Sequence, residues 1–135
     1  SGKERAFEIY KEAVDLMNSN QLFLASKKFS EAEINFTDPR LAAKSAIMAS
    51  FCLYSVNFYI QAEENLDRFL INYPADQNVI YANYLKAIIS FEQIGEEKYD
   101  LEPLLEAKKK SLSRVGILLR FSIAVIVIPN GSCQL

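Results

Sequence analysis

From Arg5 to Asn18 the apolar residues Ala6, Phe7, Ile9, Tyr10, Ala13, Val14, Leu16 and Met17 recur at spacings of three and four, with Glu4, Glu8, Lys11, Asp15 and Asn18 on the other side. That period predicts an amphipathic helix. Asn18-Ser19-Asn20 interrupts it, and a second pattern follows at Leu22, Ala25, Phe29, Ala32 and Phe36. Thr37-Asp38-Pro39 supplies a capping side chain and then a proline in the first helical turn, where its missing N–H costs nothing. The third helix begins there, runs to about Val56 and turns at Asn57. A fourth carries Ala62, Leu66 and Phe69 and stops before Tyr73-Pro74, since the residue before a proline is pushed out of the helical region. A fifth helix is expected from about Gln77 to Ile94, with "GEEKYD", Gly95 to Asp100, as the longest polar connection and a sixth helix from near Leu101. No strand-like alternation precedes residue 115. The pattern predicts an all-α protein of helical hairpins.

The hairpins repeat. Leu22, Ala25, Phe29 and Ala32 precede Pro39, and Tyr59, Ala62, Leu66 and Phe69 precede Pro74; the two sets share their internal spacing and are offset by 37 residues (62 minus 25). This is close to the 34-residue tetratricopeptide (TPR) period, with the excess placed near Asp38. The small alanine lets the second helix of a pair approach the first, and the larger residues that follow wedge against the next pair. The stretch is a packing device with no nucleophile, base or ligand cluster in it. The reading is a TPR superhelix of about three helix pairs over residues 1–114, with repeats at roughly 3–37, 38–74 and 77–114. Residues 115–135 form an atypical apolar C-terminal tail. Ala13, Leu16, Ala25, Phe29, Ala32, Leu53, Ala62, Leu66 and Phe69 are expected in the core.

Composition narrows the function. At 135 residues with a formal net charge of −2 and half the residues apolar, the chain reads as an ordinary globular domain with a single core. The basic cluster Lys108-Lys109-Lys110 is diluted by Glu102 and Glu106, so no nucleic-acid surface is expected. Cys52 sits in an apolar helical pattern and Cys133 lies far from it; neither a disulfide framework nor a metal site follows. The sequence contains no histidine, and its glycines, at positions 2, 95, 116 and 131, are scattered singly. The commonest general base and a phosphate-cradling loop are thereby missing, so the chain is expected to be no enzyme and to hold no cofactor. Val115 to Ile128 is the longest apolar stretch and is shorter than the roughly 20 residues of a membrane-spanning helix. The sequons at Asn35 and Asn130 are read as chance matches.

The order "YKEAVDLMNSNQLFLASKKFSEAE", then "ASFCLYSVNFYIQAEENLDRFLINYP", then "VIYANYLKAIISFEQI" resembles the N-terminal half of the BamD (ComL/YfiO-like) outer-membrane assembly lipoproteins over roughly residues 5–112. The "RFLINYP" ending of the second repeat, the "YANYLKA" helix after it and an insertion in the third repeat carry the likeness. It implies a non-enzymatic TPR scaffold on the periplasmic side of the bacterial outer membrane. Such a scaffold binds unfolded outer-membrane β-barrel proteins and partner subunits during assembly, and is tied to the membrane through a lipid anchor that is not part of this chain. After Lys110 the sequence departs from the family pattern, which continues toward another Tyr-Pro and further repeats.

In TPR arrays the first helix of each pair lines the concave surface. That register places Phe7, Tyr10, Val14 and Met17 of the first repeat, Ile47, Phe51 and Tyr54 of the second, and Tyr81, Tyr84, Ile88 and Phe91 of the third on a peptide-binding groove, with Arg40 and Lys44 near its edge. Aromatic walls supply contact area at low entropy cost, and a basic side chain pairs with a terminal carboxylate. Such a groove suits an extended apolar peptide ending in an aromatic residue. Two readings compete with it: a general TPR adaptor or homo-oligomeric structural protein working from the cytoplasm, and a membrane-surface protein inserting its tail. Residues 115–128 are also the candidate element for self-association.

Overall fold

A computed structural model describes residues 1–98 of the chain. It contains the helices α1 (Gly2–Asn18), α2 (Leu22–Asn35), α3 (Pro39–Ser55), α4 (Tyr59–Asn72) and α5 (Val79–Lys98). No strand occurs among the described residues. The chain divides into compact units at Ser1–Ile89 and Ser90–Leu135. Within the first, α1 packs on α2, α2 on α3 and α3 on α4, giving two consecutive helix pairs before α5 begins. The second helix of the third repeat, Cys133, the Lys108–Lys110 cluster, the Asn130 sequon, the boundary expected at residue 114 and the apolar tail all lie outside the described residues.

The turns show the repeat as clearly as the apolar pattern does. After α1 the backbone N–H of Gln21 donates to the Leu16 carbonyl at 2.8 Å and that of Asn20 to Met17 at 3.0 Å, with Asn20 in the left-handed region at φ 61°. After α3 the N–H of Phe58 donates to Leu53 at 3.0 Å and that of Asn57 to Tyr54 at 3.0 Å, with Asn57 at φ 65°. Both are Schellman endings, and each atom of one maps on the other at the 37-residue offset (57 minus 20). Asparagine is tolerated there because its short polar side chain suits left-handed backbone better than other non-glycine residues do. The starts of α1 and α3 are capped: the Ser1 hydroxyl accepts from the Glu4 N–H, and the Asp38 carboxylate accepts from the Arg40 N–H at 2.9 Å, with Pro39 following Asp38.

The core forms where the spacing puts it. Ala25, Phe29, Ala32, Ala62, Leu66 and Phe69 are fully buried, as are Ala13 and Cys52, and Leu53 is nearly so. Burying each of the large ones contributes about 1.5–3 kcal/mol. Leu16 departs from expectation and is half-buried, whereas its repeat equivalent Leu53 is buried: among the described helices α1 packs chiefly on α2, and α3 on both α2 and α4. The fifth helix also departs from expectation: it continues through Gly95, Glu96 and Glu97 to Lys98, so the polar connection does not begin at Gly95. One glycine costs a helix only about 1 kcal/mol, and the Glu-Glu-Lys that follows is made of good helix formers.

The helix α3 is built differently from its neighbours. Every residue from Ala42 to Leu53 is buried, and six of those twelve are alanine or serine: Ala42, Ala43, Ser45, Ala46, Ala49 and Ser50. Small side chains let α2 and α4 approach from two sides, and Tyr10 of α1 comes close enough to Cys52 for its phenol to feel the thiol. The buried hydroxyls need partners in so apolar a setting. They find them in their own helix: Ser45 Oγ donates to the Leu41 carbonyl and Ser50 Oγ to Ala46, both at 3.0 Å.

Candidate peptide-binding groove

The residues expected on the groove separate into three environments. Tyr10, Lys44, Ile47, Phe51 and Ile88 are buried. Phe7, Val14, Met17, Tyr54 and Tyr81 are half-buried. Arg40, Tyr84 and Phe91 are exposed, Tyr84 by 44% and Phe91 by 45%, and Phe91 falls in the second compact unit. Register alone marks a helix face; which part of that face another helix covers is settled by packing.

Tyr10 shows how far the covering goes. Its ring meets Phe29 edge-on at 5.3 Å and Phe36 at 6.1 Å, and Phe36 in turn meets Phe7 at 5.2 Å. The Tyr10 hydroxyl is buried without a hydrogen-bond partner. Burial first, and the neighbouring Cys52 second, push its pKa well above the usual phenol range. Lys44 is likewise inside, where burial lowers its pKa and Asp76 partly offsets the effect. Arg40 is the basic side chain left at the surface; its guanidinium lies 3.3 Å from Asp38, and the Arg40 backbone N–H followed by that guanidinium hold the Asp38 carboxyl below its ordinary range. The Tyr54 ring lies tilted against Tyr59 at 6.0 Å.

Burial pushes the Cys52 thiol up to about 12, so it is protonated and unreactive at neutral pH. Among the described residues no cluster of cysteines and carboxylates is placed to hold a metal ion. No helix among them is long and apolar enough to cross a membrane.

Two features escaped the sequence reading. Glu33 of α2 is buried and accepts a two-pronged ion pair from Arg68 of α4, at 2.7 and 2.9 Å, and a third bond from the Tyr73 hydroxyl at 2.9 Å. The bonds that Arg68 donates to Glu33 raise its pKa; burial first, and Glu33 second, push Tyr73 up to about 12. The signal was present: Phe29, Ala32, Glu33 and Phe36 follow the core-facing spacing, so a carboxylate stands on an apolar stripe and demands a partner. The second feature is an edge-to-face pair, Phe23 at the start of α2 and Phe58 just before α4, with centroids 5.3 Å apart and the Lys27 ammonium 5.2 Å from the Phe23 ring centre. Phe23 and Phe58 are not at equivalent repeat positions, so periodicity does not bring them together.

Comparison with known proteins places these observations. The sequence profile of the YfiO family, described as an outer membrane lipoprotein, matches residues 3–117. Over 99 residues, 73% of this chain, the sequence is 32% identical to the outer membrane protein assembly factor BamD of Caulobacter vibrioides. The aligned region spans 32% of that relative's length, about a third. No solved structure gives a significant match. The profile covers most of the sequence, including both helix pairs and α5, and the chain belongs to the YfiO outer membrane lipoprotein family.

Proposed function

We propose that the chain is a non-enzymatic scaffold that binds unfolded outer-membrane β-barrel segments, and partner subunits, during outer-membrane protein assembly. The relative in Caulobacter is itself named an assembly factor, which supports the general class. The observation that carries the finer reading is the set of tyrosines left accessible on successive first helices: Tyr54 on α3, and Tyr81 and Tyr84 on α5, with Tyr84 exposed by 44%. Half-open tyrosines offer an apolar ring and a hydroxyl at little entropy cost, which suits an extended peptide with alternating apolar residues. Arg40, not the buried Lys44, is the partner for a terminal carboxylate.

The ligand is an apolar peptide ending in an aromatic residue, bound with a Kd on the order of micromolar. Titration of the chain with such a peptide and with a scrambled control tests the reading. Tyr54→Ala and Tyr84→Ala each weaken binding about fivefold or more, as loss of a contact worth over 1 kcal/mol requires, with helicity unchanged. Equal binding of peptide and control, or indifference to both changes, overturns the groove and leaves the general adaptor.

A further inference from the structure

The second helix of each pair carries the same outward row. On α2 it is Phe23, Lys27, Ser30 and Ile34, and on α4 it is Ile60, Glu64, Asp67 and Ile71, each one 37-residue offset from its counterpart (60 minus 23). Steps of four, three and four keep a row on one side of a helix, and this side is turned away from the one that buries Ala25, Phe29 and Ala32 on α2 and Ala62, Leu66 and Phe69 on α4. Both rows end in bulky apolar side chains that stand in water: Ile34 is exposed by 84%, Ile71 by 77%, Ile60 by 65% and Phe23 by 43%. A single such residue is ordinary on a protein surface; four of them closing the ends of two matched rows mark a contact.

The two rows form one face. Phe23 meets the ring of Phe58, just before α4, at 5.3 Å, so the two helices start side by side. Arg68 bonds Glu33 at 2.7 and 2.9 Å and Tyr73 bonds it at 2.9 Å, so they end side by side too. Helices α2 and α4 therefore run in the same direction as neighbours, both packed on α3, with their outward rows on the far side from it. Charge divides this face. Lys27 of α2 and Glu64 of α4 hold equivalent positions with opposite signs; both are exposed, and neither joins an ion pair among the described residues. Glu63, half-buried beside Glu64, adds to the acidic side. The other charges nearby are engaged within the chain: Lys28 by Glu12 and Glu31, Asp67 by Lys86 and Arg68 by Glu33.

From these observations we propose that the face is a self-association surface: two copies of the chain pair about a two-fold axis that runs along the helices, with α2 of each copy lying on α4 of the other. A two-fold interface uses one patch twice, so the patch must complement itself. Rotation about an axis along the helices keeps their direction, so Lys27 of each copy comes opposite Glu64 of the other, Phe23 opposite Ile60 and Ile34 opposite Ile71. Two ion pairs close at the centre of the face, and apolar contacts close at each end. Pairing α2 with α2 and α4 with α4 would instead set basic side on basic side and acidic on acidic. The patch is small and its charges stay near water, so the dimer is weak, with a Kd on the order of 10 μM. It uses the second helices, whereas Tyr54, Tyr81 and Tyr84 lie on first helices, so the inference stands whether or not the peptide groove does.

Sedimentation velocity of the full chain at concentrations on either side of that value tests the pairing. The parent chain shifts from monomer to dimer and stops there. Lys27→Glu and Glu64→Lys each weaken dimerisation about tenfold or more, because either change sets two like-charged pairs across the axis. An equimolar mixture of the two variants dimerises as the parent does, since both central pairs in the mixed dimer are again of opposite sign. Ile34→Ser/Ile71→Ser, which leaves the charges alone, also weakens association, and circular dichroism checks that every variant keeps its helices. A parent chain that stays monomeric, growth past the dimer, a mixture that associates no more tightly than its components, or unchanged association in the charge or serine variants overturns the proposal, and the last of these assigns the association to another part of the chain.

Discussion

Cys52 illustrates how a residue without chemistry still leaves a mark on behaviour. Buried in α3, its thiol ionises near 12 in the folded protein against an ordinary value of 9.0. The folded state therefore keeps a proton that the unfolded chain releases above pH 9, and stability is fully present below that pH and lost as pH rises toward 12. Each such proton costs about 1.4 kcal/mol per pH unit over that interval. Tyr10 and Tyr73, both raised in the folded protein from an ordinary 10.0, add further losses centred about one pH unit higher. Urea denaturation at pH 8, 9 and 10 is expected to show a fall between 9 and 10 in the parent chain and a smaller one in Cys52→Ala, where only the tyrosines contribute over that step. An identical profile in both contradicts the assignment.

At the scale of the element, the turn is the clearest unit of the repeat. Asn20 holds left-handed backbone at φ 61°, where a Cβ without a local polar compensation costs about 1 kcal/mol or more. Asn20→Ala is expected to lower stability by about 1 kcal/mol and Asn20→Gly to leave it unchanged or raise it slightly. Equal losses in thermal denaturation for both show that the turn conformation is not what matters there. Much of this level was legible in the sequence. Ala25 and Ala62, Phe29 and Leu66, and the Asp38-Pro39 start of α3 announce their roles by type and spacing. Ile47 and Phe51 do not. A helical period reports that a face is apolar, and in α3 the apolar and small residues run all the way round, so nothing in the period separates a wall open to a peptide from one closed by another helix. The burial of Glu33 was legible from its place on the apolar stripe, but its partners were not: they are 35 and 40 residues away, beyond the reach of any local pattern.

For the first compact unit as a whole, the Glu33 cluster ties two repeats into one cooperative body. Arrays of this kind are stabilised by nearest-neighbour contacts, and a charge held across the seam makes neighbouring pairs open together. Arg68→Ala strands a buried carboxylate, whereas Glu33→Gln leaves a guanidinium that is 43% exposed and can be hydrated. Arg68→Ala is therefore expected to cost more, about 1–3 kcal/mol, toward the low side for a buried pair because water reaches Arg68. Native-state hydrogen exchange is expected to show α2 and α4 opening with one free energy in the parent chain and α4 opening first in Arg68→Ala. Separate opening in the parent contradicts the coupling.

The enclosure of α3 bears on how such a chain can be divided. The 37-residue offset invites a cut near Thr37, at the seam between one unit and the next. Yet from Ala42 to Leu53 α3 has no side of its own to present to water: α2 covers it from one direction and α4 from another, and Tyr10 of α1 reaches it at Cys52. Its alanines and serines shape a slot that these neighbours fill. Gain or loss of a module at Thr37, whether by recombination or by a protease, would uncover that slot. The repeat visible in the letters is a unit of description, and the unit that can be inherited or exchanged is larger, with α3 at its centre rather than at its border.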